Sequence, residues 1–270
     1  MTRLASLLFR GFVALVFVFL LLPIAMVVLT SFSKSAVLAF PPREFTLDWY
    51  ARISTEFLDA LQVSLIVSSG TTALATVVGT LAALALVRGR FPGRAVLGAF
   101  CLSPLMVPTL VIGVAAFQFS GMIWDAFGFS LIGTIPGLIL GQSAFTIPFV
   151  IRAAVAGQAH FDTAIEEAAL NLGATPLQTF FRVTLPILLP GIVSGAVFAF
   201  VMSFDDVPVA LFLGGGEATT FPVKIYTSVE FNFDADLMAI STLVVGCSLL
   251  VMLVLDRLIG VDKFFGAARG

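Results

Sequence analysis

Charge is what this chain has least of. Its 270 residues carry 14 Lys and Arg and 16 Asp and Glu, 11% in all, where a soluble domain carries about 25%. With 59% apolar residues and a mean hydropathy of +1.10, too little polar surface remains to cover a body in water. Cysteine is scarce too. Cys101 and Cys247 both lie inside apolar runs, which excludes a disulfide framework or zinc spacing and leaves them as small buried hydrophobes. There is one histidine, His160, and no cluster of metal-ligand residues, so no metal is expected. Gly214-Gly215-Gly216 is followed by no Lys-Ser or Lys-Thr, so it is a flexible turn and not a phosphate loop. No such loop occurs elsewhere, and any ATP that drives this protein is held by another chain. An intramembrane serine protease is disfavoured on distance, and fails unless folding brings serine and histidine together. Gly141-Gln142-Ser143 stands 17 residues before His160, about 26 Å along a continuous helix, and a catalytic triad is a matter of geometry. No catalytic or cofactor-binding residue is assigned, and no nucleic-acid partner is expected.

What the chain has in abundance is long stretches without charge. Gly11–Ser33, Ala60–Val87, Ala95–Trp124, Ala126–Ile151, Val183–Phe204 and Leu237–Leu255 are uninterrupted, and each meets or nearly meets the roughly 20 residues needed to cross a bilayer. The expectation is an all-α membrane protein, one domain over 1–270, with spans at about 11–33, 60–87, 95–121, 130–156, 187–212 and 237–260. Six crossings put both termini on one side. The first run follows Arg3 and Arg10 but is too long for a signal peptide and lacks a small-residue cleavage site. Arg3, Arg10, Arg88, Arg90, Arg94, Arg152, Arg182, Arg257, Lys263 and Arg269 fall on one side, against Lys34, Arg43, Arg52 and Lys224 on the other. The richer side is cytoplasmic. On the poorer side, Pro41-Pro42 and Trp49-Tyr50 lie beside an expected interfacial helix near Leu47–Phe57, with the aromatics as headgroup anchors. Prolines 104, 108, 136, 148 and 190 and glycines 70, 79, 191 and 195 punctuate the spans, where breaks and close helix approaches are tolerated.

The most polar connection, 157–186, falls on the cytoplasmic side. Thr163 with Glu166 three residues on is a capping box. Ala164, Ile165, Ala168, Ala169 and Leu172 share one helical side, and Gly173 is the stop. Thr175-Pro176 restarts a second helix, which carries Phe180 and Phe181 and runs to Leu185-Pro186. Glu167-Ala168-Ala169, three residues, Gly173, nine residues and Val183-x-Leu185-Pro186 resemble the EAA loop of bacterial ABC importer permeases, which usually has isoleucine where Val183 stands. The resemblance implies a type I importer permease fold, with the Thr163–Leu172 helix as a coupling helix seated in a groove of a cytoplasmic ATPase. Thr163, Glu166, Glu167, Ala168, Ala169 and Gly173 are then its coupling residues.

Asp205 and Asp206 close the fifth span, about 27 Å from Ile187 and near the outer edge of the hydrocarbon. A carboxylate there faces water or the interface. It is either an interfacial helix end or an electronegative mouth for a cationic solute. Ser203–Val207, Pro222-x-Lys224-Ile225-Tyr226 and Asp236–Val245 are similar to the second permease of spermidine/putrescine-type importers. That resemblance implies a heterodimer with a related permease, two ATP-binding subunits holding ATP and Mg, and an extracytoplasmic solute-binding protein. It also makes Ser203, Phe204, Asp205 and Asp206 the expected substrate path. Glu230, Asp234 and Asp236 are read as solvated loop residues or contacts to the binding protein. The expected role is ATP-driven import of a small nitrogenous solute, such as a polyamine, through a bacterial inner membrane. The alternative is a secondary transporter or channel that needs no ATP. It is disfavoured because spans one to four hold no ionisable group in their interiors.

Overall fold

Long runs of leucine, valine, alanine and phenylalanine can satisfy their backbone amides in hydrocarbon only by closing helices. The computed structural model describes residues 3–34, 44–158, 161–231 and 236–259. Among these there are helices and no strand. Pro41, Pro42, Arg43, His160, Asp234, Lys263 and Arg269 lie outside the described residues. Five helices are long and apolar enough to cross a membrane, and a sixth, Asp236–Ile259, carries a further apolar stretch.

The chain divides into two compact units, 1–58 with 227–270, and 59–226. In the first, α1 (Arg3–Ser31) packs along α12 (Asp236–Ile259) and exposes large apolar side chains along most of its length, as a lipid-facing helix does. The expected interfacial helix near Leu47–Phe57 is only the single turn α2 (Asp48–Ala51), and α3 (Thr55–Arg88) already begins at Thr55. The aromatics of α2 are tied down at their polar tips: Trp49 Nε1 donates to Ser33 O at 2.8 Å, and Tyr50 Oη lies 2.7 Å from Ser31 Oγ. Beside them Lys34 and Glu44 form an exposed ion pair at 2.8 Å.

The second unit is built around α6 (Ile135–Gln158), which buries Leu138, Gln142, Thr146, Val150 and Ala154. Water cannot drive helices together in lipid, so they associate through close packing of small residues. A Cβ on Gly79 of α3 would meet Val150 Cβ at 2.8 Å, and one on Gly195 of α9 (Leu185–Phe204) would meet Val150 Cα at 2.9 Å. The two glycines let α3 and α9 close on α6 around the same valine.

Two expected spans are interrupted. Span three is not one helix over 95–121. It is α4 (Arg94–Leu102), a 3₁₀ turn Ser103–Met106, and α5 (Thr109–Phe127). Val107 between them is extended at φ −92°, ψ 129°, because the ring of Pro108 crowds the residue before it out of the helical region. Span five likewise stops at Phe204 rather than running to 212. The chain turns through Asp205-Asp206-Val207 and forms α10 (Pro208–Leu213), which packs on α5 and α6. Gly113 and Gly141 make room for it: a Cβ on either would fall within 3 Å of Phe212 or Leu213. α11 (Phe221–Phe231) follows, its Phe221 N–H donating to Ser64 Oγ of α3 at 2.8 Å.

Candidate functional site

The polar connection after α6 forms two short helices, α7 (Ala164–Asn171) and α8 (Pro176–Thr179). The capping box expected between Thr163 and Glu166 is not formed. Thr163 is itself helical at φ −64°, ψ −20°, and its side chain makes no cap. Asp162 does that work, accepting from Ala164 N–H at 2.9 Å. This frees the Glu166 carboxylate to turn inward. Its Oε1 accepts from Arg88 Nη1, at the end of α3, at 2.8 Å, and from the Thr184 hydroxyl. The Arg88 guanidinium lies 4.9 Å from the centroid of the Phe161 ring, a cation–π distance. Thr184 is buried, whereas Glu167 and Ala168 are exposed and Ala169 is half-buried.

Gly173 ends α7 at φ +90°, as expected, with Ala174 N–H reaching back to Ala169 O at 3.1 Å. The second cap also forms as the sequence indicates. Thr175 Oγ1 accepts from Gln178 N–H, Gln178 Oε1 accepts from Thr175 N–H, and Pro176 follows the cap. The second helix does not stop at Leu185-Pro186, however. It passes through a π-turn, Phe180–Thr184, directly into α9. Leu185 N–H donates to Phe180 O five residues back. The widened turn accommodates Pro186, which brings no N–H and a ring that would crowd an ordinary α-turn. The loop is therefore continuous with span five. Around it Leu172, Leu177 and Phe181 are 90%, 69% and 57% exposed, and Glu167 is exposed too.

The residues expected on the substrate path separate by environment. Ser203 and Asp206 are buried, Phe204 is half-buried and stacked on Phe200 at 6.0 Å, and Asp205 is exposed. Asp206 Oδ2 accepts from Ala210 N–H at 2.9 Å and from Gln142 Nε2 at 3.3 Å, and Ser203 Oγ donates to Gln142 Oε1. Thr146 Oγ1 donates to Gln142 O at 2.9 Å. The Gln142 amide thus joins α6 to both sides of the break that ends α9. Sequence reasoning passed over Gln142, although an amide inside a charge-free run was the available signal. Ser143 donates to Ile139 O at 2.6 Å, an ordinary helix back-bond.

Residues 75–261 match a family described as the binding-protein-dependent transport system inner membrane component. The chain belongs to that family. It is a permease subunit of an ABC transporter, and the matched stretch includes the whole of the α7–α9 region. It is 32% identical over 233 residues to the putrescine transport system permease protein PotI of Escherichia coli K12, covering 85% of this chain and 83% of that one. It is 29% identical over 258 residues to the spermidine/putrescine transport system permease protein PotC of the same strain, covering 95% of each. Among solved structures, a bacterial ABC transporter involved in the import of alginate superposes with a TM-score of 0.73 at 17% identity, over 95% of this chain and 96% of that one. The MetNI methionine ABC transporter in an inward-facing form gives 0.54 at 20% identity, over 84% and 100%. Those two likenesses are of fold. The exposed Leu172, Leu177 and Phe181 lie inside the matched region.

Proposed function

We propose that this permease forms one half of the membrane path of an ATP-driven importer. It pairs with a related permease, is driven by two ATP-binding subunits that hold ATP and Mg, and receives its solute from an extracytoplasmic binding protein. The observation that carries this reading is the two-sided α7. Glu167 and Ala168 are exposed, as are Leu172 and Leu177 in the same loop, while Glu166 is tied inward to α3 and to the start of α9. A helix of that form can receive a displacement from a docked subunit and deliver it to the bundle. The bundle itself needs only two arrangements of similar free energy. The basic residues Arg88, Arg90, Arg94, Arg152 and Arg182 support a cytoplasmic placement of this end, and a count of six spans would put both termini on the same side.

The cargo in this proposal is a small cationic nitrogenous solute such as a polyamine. PotI and PotC are named for such solutes, and the exposed Asp205 supplies a free carboxylate at the far end of α9. Asp206 and Ser203 hold the turn that presents it. The test is uptake of labelled putrescine by proteoliposomes containing the complete complex. Uptake is expected only with ATP and binding protein, and Asp205→Asn is expected to weaken both the uptake and its dependence on salt. Uptake by this chain alone, without nucleotide, would refute the importer reading.

A further inference from the structure

We propose that Glu166, with Arg88 and Thr184, is a positioning clamp that makes α3 and α9 move as one body with the coupling helix. This rests on the importer reading above. α7 has eight residues and leads to α8 through Gly173, a left-handed glycine whose Cβ position has nothing within 4 Å. Left on its backbone alone, α7 would rotate about that joint when pushed, and the displacement would be lost there. The side chain of Glu166 prevents this. Its Oε1 is shared between Arg88, 78 residues earlier, and Thr184, 18 residues later.

The two partners sit where leverage is greatest. Arg88 is the last residue of α3, and Thr184 is the last of the π-turn that opens α9. The pair is partly shielded, with Arg88 and Glu166 side chains 34% and 20% exposed, and the Phe161 ring covers the guanidinium. Ion pairs of that kind are less screened than those on an open surface. The neighbouring carboxylate has no part in the clamp, because Glu167 projects about 100° further round the helix and is exposed. Glu166 therefore acts inside the chain and Glu167 outside it.

The test uses the assembled importer in lipid nanodiscs, with spin labels at Ala85→Cys on α3 and Asn171→Cys on α7 and with Cys101→Ser and Cys247→Ser. The label-to-label distance is expected to be the same with and without ATP and Mg, because the clamp holds. With Glu166→Gln it is expected to change with nucleotide by more than about 2 Å, the scale of helix shifts in switching proteins. In proteoliposomes supplied with binding protein and putrescine, Glu166→Gln and Thr184→Val should each raise the ATP spent per solute about fivefold, about 1 kcal/mol of lost coupling. Arg88→Glu combined with Glu166→Arg should restore the nucleotide-independent distance, which a merely folded-or-unfolded effect would not do. A distance that shifts with nucleotide in the parent, or one that stays fixed in Glu166→Gln, overturns the clamp while leaving ATP-driven uptake intact. A parent complex that hydrolyses no ATP overturns the importer reading and the clamp with it.

Discussion

A pair of glycine-to-alanine changes tests whether α6 is held by backbone contact or by side-chain fit. At Gly70 a new methyl would lie 2.6 Å from Ile139 Cδ1, and at Gly195 it would lie 2.9 Å from Val150 Cα and 3.1 Å from Ala153 Cβ. Distance alone ranks Gly70→Ala as the worse. The identity of the clashing atom reverses that order. Cδ1 is the tip of an isoleucine and can leave by a rotamer change costing about 0.5–1.5 kcal/mol at most. Val150 Cα belongs to the backbone of the most buried helix, so α6 and α9 must separate, and overpacking of this kind costs about 1–3 kcal/mol. Both changes gain up to about 1 kcal/mol of helix propensity. Gly70→Ala should therefore be neutral within about 0.5 kcal/mol, and Gly195→Ala should lose up to about 2 kcal/mol. Gly121→Ala, whose Cβ would meet nothing within 4 Å, should show the propensity gain alone. The assay is reversible unfolding of the purified chain in mixed micelles, followed by helical circular dichroism. A Gly70→Ala loss equal to or larger than that of Gly195→Ala would refute the claim that backbone contact sets the α6–α9 spacing.

Gly173→Val should lower stability by about 1–2 kcal/mol, the cost of a β-branched residue at positive φ, and should uncouple ATP hydrolysis from uptake. Since no atom crowds that site, Gly173→Asn should recover most of both, and no recovery would argue against a conformational cause. Gln142→Leu should cost more, about 1–3 kcal/mol for each buried partner left unpaired, because Ser203 and Asp206 both lean on that amide. Micelle unfolding reads the loss, and an unchanged midpoint would show the contacts to be incidental. Glu167→Arg should weaken co-purification of the ATP-binding subunits while leaving the unfolding midpoint within about 0.5 kcal/mol, the usual range for an exposed substitution. Full retention of those subunits would place the docking surface elsewhere.

The spans were legible because a charge-free run of membrane length has few alternatives. Their interruptions were legible only in part. Pro108 announced a break but not its kind, since a proline inside a span can kink a helix or end it. Pro108 pushes Val107 out of the helical region, and α4 and α5 both still pack on α6, so the break is a full interruption where a kink was equally open. Pro186 invited the opposite error. A proline after Leu185 reads as a stop, yet a π-turn absorbs it and keeps α8 joined to α9. The extra residue in that turn re-aims the helix without breaking it, which suits the displacement-carrying role proposed for this segment.

The proposed coupling site shows where a motif is silent. The motif groups Glu167, Ala168, Ala169 and Gly173, and Thr163 and Glu166 stand beside them as expected coupling residues, paired with each other as a local capping box. Asp162 occupies that role, and the displaced carboxylate finds Arg88 instead. Nothing within a window of helical length could reveal a partner 78 residues away. The distinction matters for the proposed function, because the two adjacent carboxylates point about 100° apart on the helix and Glu166 is already held by Arg88 and Thr184. One is free to receive a partner while the other fixes the helix to what must move. A charge exchange between positions 88 and 166 should therefore be tolerated, whereas reversal at 167 should not. Equal damage from both, read by putrescine uptake in the assembled complex, would mean that the two carboxylates share a single outward role.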